Sequence, residues 1–78
     1  MWIRSQDKEI LTKAVCIHLG GENHENCICA RDVEGNRWYI GEYSTKEKAL
    51  KVLDMIQRLI KIGGVFQMPS DDFDEVIE

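Results

Sequence analysis

Cys16, His18, Cys27 and Cys29 are the residues whose types and spacing best suit chemistry. They lie within CIHLGGENHENCIC, a stretch that holds all three cysteines and both histidines of the chain. If its two halves pair as a hairpin about the GGENHE loop, Cys16 faces Cys29 and His18 faces Cys27. Strand side chains alternate between faces, so all four would stand on one side of the sheet. Three sulfurs and an imidazole gathered there would make a tetrahedral zinc set.

The spacing also supports a plainer role. Structural zinc sites draw ligand pairs from a C-x₂₋₄-C knuckle whose backbone supports the sulfurs. Here the spacings are Cys-x-His and Cys-x-Cys, inside presumed strands. Reduced cysteine packs as a small hydrophobe. The expectation is therefore a hairpin with buried or half-buried thiols and no cofactor, the zinc-stabilised domain being the alternative. His24, in the polar loop, is expected to face solvent. A redox role for Cys27 and Cys29 lacks the C-x-x-C spacing.

Other chemistry finds less support. A Cys–His nucleophile needs a base in reach and a third group to orient it; Cys16 and His18 share one strand, and so small a sheet promises no cleft. No enzyme is expected. Gly20-Gly21 and Gly63-Gly64 suit a turn and a helix stop rather than a phosphate loop. The acidic run SDDFDEVIE lacks the glycine and spacing of a calcium loop. Arg4, Lys13, Arg31 and Arg37 with Trp38 and Tyr39 would make a nucleic-acid platform only if the aromatics shared a face, and adjacent strand residues alternate. A nucleic-acid-associated accessory protein is thus the weakest alternative.

The elements that must position these residues are legible in part. YSTKEKALKVLDMIQRLIKIGG predicts a helix over 45–62, on the order of 27 Å long. Ser44 and Glu47 make a capping box, and Ala49, Val52, Leu53, Ile56, Leu59 and Ile60 form one apolar face. Gly63 takes the left-handed stop. Strands are predicted over 2–5, 10–19, 26–31, 37–43 and 65–68, the last closed by Pro69. The fold class expected is α+β: an antiparallel sheet of four to five strands in the order β-β-β-β-α-β, with the one long helix on one face. The final strand would run antiparallel beside the first, or parallel beside the fourth. Val15, Ile17, Leu19, Ile28, Ala30 and Tyr39 are assigned to the helix side. Ile10, Ala14, Cys16, His18, Cys27, Cys29, Trp38 and Ile40 are assigned to the other, with the proviso that a bulge would shift this parity.

The chain has 78 residues and a net charge of −4, enough for one small domain. The last nine residues carry five acids and no base, which leaves 10 basic and 9 acidic residues in the body. The expected organisation is a domain over 1–69 and a flexible acidic tail over 70–78, with Phe73, Val76 and Ile77 able to dock. That body offers no broad basic footprint for nucleic acid. No apolar run approaches a membrane span, and the odd cysteine count suits a reducing, cytoplasmic setting.

MWIRSQDKEIL, IGEYSTKEKALKVLDMIQ and FQMP resemble a group of small uncharacterised proteins of Gram-positive bacteria and their phages. The resemblance implies a bacterial, single-domain protein and carries over no activity. An apolar second face is more than one helix can cover, which points to a partner. The expected function is a non-enzymatic module that binds another protein or a second copy of itself, with Trp2, Trp38 and Ile40 as its anchors.

Overall fold

The computed structural model describes residues 1–72. These residues form six strands and one helix: β1 (Trp2–Arg4), β2 (Leu11–Lys13), β3 (Cys16–Leu19), β4 (Cys27–Arg31), β5 (Arg37–Glu42), α1 (Lys46–Leu59) and β6 (Val65–Gln67). The class is α+β, as expected, but the strands do not make one sheet. They form two three-stranded sheets, ordered β2-β1-β6 and β3-β4-β5.

The division falls inside the segment expected to be one strand over 10–19. The Ala14 amide donates to the Met1 carbonyl at 2.7 Å, and the next amide, Val15, donates to the Arg31 carbonyl at 2.8 Å. Consecutive residues thus serve different sheets. Ala14 sits buried at the corner, where its small side chain lets the backbone turn between the two sheets. The last strand corrects the expectation too: β6 pairs with β1, but in parallel.

The helix begins one residue later than the capping box implies. Thr45, not Ser44, accepts the Lys48 amide at 3.1 Å, and Glu47 lies in the first turn, where a carboxylate suits the helix dipole. Ala49, Val52 and Ile56 are buried and Leu53 packs partly against them. Leu59 and Ile60, expected on the same face, are exposed at the end of the helix, where Ile60 borders an open apolar region with Met1, Val15 and Leu53. The chain then turns at Gly63 with φ of 83°, a conformation that glycine adopts without penalty.

One core joins all the layers. Ile3 and Phe66 from the first sheet meet Ile28, Ala30 and Ile40 from the second, together with Ala49, Val52 and Ile56 from α1. Tyr43 closes one end, its hydroxyl donating to the Pro69 carbonyl at 2.8 Å. Asp71, in the segment read as tail, accepts the Ser44 amide at 2.7 Å and lies 3.8 Å from the Lys48 ammonium. The remainder of the expected tail, 73–78, with Phe73, Val76 and Ile77, lies outside the described residues. Among the described residues no helix is long and apolar enough to cross a membrane.

Candidate functional site

The hairpin register decides the fate of the cysteine set. In β3–β4, Cys16 stands opposite Arg31 and His18 opposite Cys29. The shift of two positions from the expected register keeps all four residues on one face but pulls Cys16 away from Cys29. Among the described residues no group of three or more His, Cys, Asp or Glu side chains is arranged to hold a metal ion. The zinc set of Cys16, His18, Cys27 and Cys29, the alternative reading of the hairpin, is not gathered among the described residues.

Two of the three thiols are packed away from solvent. Cys27 and Cys29 are buried while Cys16 is exposed. Burial pushes the Cys27 thiol up, with the Glu42 carboxylate adding to the effect. Burial likewise raises the Cys29 thiol, against an opposing pull from Arg37 and Arg31. Neither is poised as a thiolate at neutral pH. His18 Nδ1 lies 2.6 Å from the Leu19 carbonyl, which can only accept, so the proton sits on Nδ1. Its Nε2 is left buried without a partner.

A cleft does open beside Cys27. Ser5, Asp7, His24, Cys27, Tyr39 and Glu42 are among the residues around a volume of about 360 Å³. Gly20 lies against His24 behind the cleft, where a Cβ would come within 2.6 Å of the His24 carbonyl oxygen. That close approach brings the His24 ring to 5.6 Å from Tyr39. The Asp7 carboxylate at the rim is occupied by the Ser5 hydroxyl and the Glu9 amide, bonds that hold it below the usual carboxylate range. That carboxylate is thus committed to its own turn, and burial keeps the Cys27 thiol protonated at neutral pH.

The expected anchors separate. Ile40 is 1% exposed, so it belongs to the core and not to a surface. The reason is a bulge: Cys29 pairs with Tyr39 but Ile28 pairs with Gly41, leaving Ile40 as the extra residue of β5. The bulge also reverses the expected parity of Trp38 and Tyr39. Trp38 stands opposite Ala30, on the core side, yet is partly exposed, and it helps to lower the Asp32 carboxyl, whose main partner is Asn36. Tyr39 stands on the outer side, with the Arg37 guanidinium 5.5 Å from its ring centre.

Trp2 lies on the other sheet, in a different setting. It occupies the middle strand, opposite Lys13 on β2 and Val65 on β6; Arg4 stands opposite Leu11 and Gln67. Opposed residues project to the same side, so these six share the outward face. All six are exposed, while Ile3, Thr12 and Phe66 between them turn inward. Trp2 is 45% exposed, Leu11 57% and Val65 58%. The face thus carries three apolar side chains, two cations and no carboxylate, in a chain that has 14 acids against 10 bases. The Arg4 guanidinium is oriented by donation to the Lys8 carbonyl at 3.0 Å, and Lys8 presents that carbonyl from a left-handed turn with φ of 69°. No protein family, curated protein or solved structure matches this chain.

A second apolar region lies between Met1, Val15, Leu53 and Ile60, around about 410 Å³, with no charged side chain to select an occupant. Arg31 and Arg37 face one another on the second sheet, apart from Arg4 and Lys13. The basic residues thus do not converge on a single platform. Sequence reasoning picked out Trp2 but not Arg4, Leu11, Lys13 and Val65 as its companions. Their alternation with Ile3, Thr12 and Phe66 was the available signal, hidden because β2 was read as part of a longer strand.

Proposed function

We propose that this chain is a non-enzymatic protein-binding module that captures an acidic segment carrying apolar side chains on the outward face of β2-β1-β6. The observation that carries the proposal is the composition of that face: Trp2 at its centre, Leu11 and Val65 around it, Arg4 and Lys13 alongside, and all six outward positions exposed. Aromatic and arginine anchors dominate binding energetics. Charge complementarity selects the partner and rejects basic ones. Burying Leu11 and Val65 contributes roughly 1.5–3 kcal/mol each, and Trp2 more. Set against an association cost of about 4–15 kcal/mol, that leaves a weak contact, with Kd on the order of 0.1–1 mM.

The test is fluorescence anisotropy with labelled peptides of one length: an acidic-apolar peptide, its Asn/Gln counterpart and a basic counterpart. The acidic peptide is expected to bind saturably. Trp2→Ala, and separately Arg4→Glu with Lys13→Glu, should each weaken it by about tenfold or more while leaving the thermal midpoint in place. Equal binding of the acidic and neutral peptides, or binding that survives both variants, would overturn the proposal.

A further inference from the structure

We infer that the segment captured by this face is residues 73–78 of a second copy of the same chain, so that the protein pairs with itself by reciprocal exchange; this rests on the protein-binding role proposed above. The complement is written in the chain. FDEVIE supplies three apolar residues, Phe73, Val76 and Ile77, and three acids, Asp74, Glu75 and Glu78. The face supplies Trp2, Leu11 and Val65 with Arg4 and Lys13. Apolar groups meet apolar groups in equal number, and carboxylates meet the cations.

The segment leaves the body beside α1 and not on the face itself. Asp71 is held at the first turn of α1 by the Ser44 amide at 2.7 Å and by Lys48, whose ammonium donates to the Asp71 carbonyl at 2.6 Å. The helix packs on the inward side of the β2-β1-β6 sheet, where Val52 and Ile56 share the core with Ile3 and Phe66. The outward face is on the far side of that core. Six residues span at most about 20 Å fully extended, so a fold-back onto the chain's own face would have to pass the β6 edge within that length, and a monomer at every concentration is the outcome that would report it. A second copy meets no such barrier. Two copies related by a two-fold axis each offer a segment and a face, so both contacts close at once.

Sedimentation equilibrium of the full chain over a dilution series tests the inference. The expected result is a concentration-dependent dimer that weakens by about tenfold or more as salt rises from about 50 mM to about 500 mM. A chain ending at Asp72, which keeps the Asp71 contacts, should be monomeric with an unchanged thermal midpoint. Trp2→Ala should weaken the dimer by about tenfold or more. So should the triple variant Asp74→Asn, Glu75→Gln, Glu78→Gln, which keeps the chain length. A dimer indifferent to loss of 73–78 would overturn this inference and leave the peptide-binding role standing. A monomer at every concentration would overturn it too, and the peptide panel above would then decide the parent role on its own.

Discussion

Gln6 joins the two sheets, and removing its side chain should cost more than its position in a turn implies. Its backbone amide donates to the Ile40 carbonyl at 2.8 Å. Its side chain then acts as a further strand residue along the edge of β5. Oε1 accepts the Glu42 amide at 2.9 Å, and Nε2 donates to the Glu42 carbonyl at 3.0 Å and to the Pro69 carbonyl at 3.3 Å. The β1–β2 turn, the end of β5 and the chain leaving β6 thus meet at one amide group. In Gln6→Ala the backbone bond remains and three side-chain bonds go. Each is worth roughly 0.5–1.5 kcal/mol net, and water replaces part of those at exposed Glu42, so the loss should be about 2 kcal/mol. For a chain of this size that lowers the thermal midpoint by about 8–16 °C.

Gln6→Glu sharpens the test. The introduced carboxylate still accepts from the Glu42 amide but points its other oxygen at two carbonyl acceptors. It should destabilise at least as much as Gln6→Ala at neutral pH. Facing acceptors, its folded pKa rises above the unfolded value of about 4.3. The penalty is therefore present above the folded pKa and shrinks as pH falls through it, so Gln6→Glu should gain on Gln6→Ala between pH ~7 and ~5. Urea unfolding followed by circular dichroism at both pH values measures this, with a common slope as the condition for comparison. A loss in Gln6→Ala below about 0.5 kcal/mol, smaller than one such bond, would refute the clamp. So would wild-type stability of Gln6→Glu at neutral pH.

Gly20→Ala should destabilise by about 1–3 kcal/mol, because its Cβ meets the His24 backbone and must displace the loop; loss of the His24–Tyr39 ring-current shifts in the NMR spectrum would report the displacement. Asp7 is held low mainly by the Ser5 hydroxyl and Asp32 mainly by the Asn36 side chain. Their contributions are present above the unfolded pKa of about 3.9 and are lost as pH falls through the lower folded values. The acid limb of a stability–pH curve should accordingly flatten in Asp7→Asn and Asp32→Asn, and identical limbs would contradict this. A thiol reagent should modify Cys16 quickly and reach Cys27 and Cys29 only on unfolding, since those two are buried; equal rates for all three would show that the hairpin opens.

How much of this was visible beforehand depended on whether the signal was local. The helix was legible because its apolar period and its cap lie within neighbouring residues, and only its last turn misled. Leu59 and Ile60 continue the period but stay exposed, Ile60 bordering an apolar region that is open beside Met1 and Val15. The split between Ala14 and Val15 carries no Gly, Pro or charge to mark it; it is fixed by which distant strand each amide finds. The bulge at Ile40 is likewise a relation between β4 and β5, so its effect on Trp38 and Tyr39 could be stated only as a condition. Placing β5 in the other sheet also removed the single-sheet choice on which both expectations for β6 depended. The cysteine hairpin has the faces its alternation implies and a register two positions from the one its loop suggests, enough to separate Cys16 from Cys29 while Cys27 and Cys29 stay buried.

The most direct test of the central claim is a nitrogen-15 shift map of the chain ending at Asp72, whose face is free of its own 73–78, titrated with an acidic peptide carrying the sequence of residues 73–78. The binding face described above predicts the largest shifts at Trp2, Arg4, Leu11, Lys13, Val65 and Gln67, with little change at Cys27, Tyr39 or Glu42. Shifts centred on Arg31, Arg37 and Tyr39, or no saturable shift at all, would contradict it.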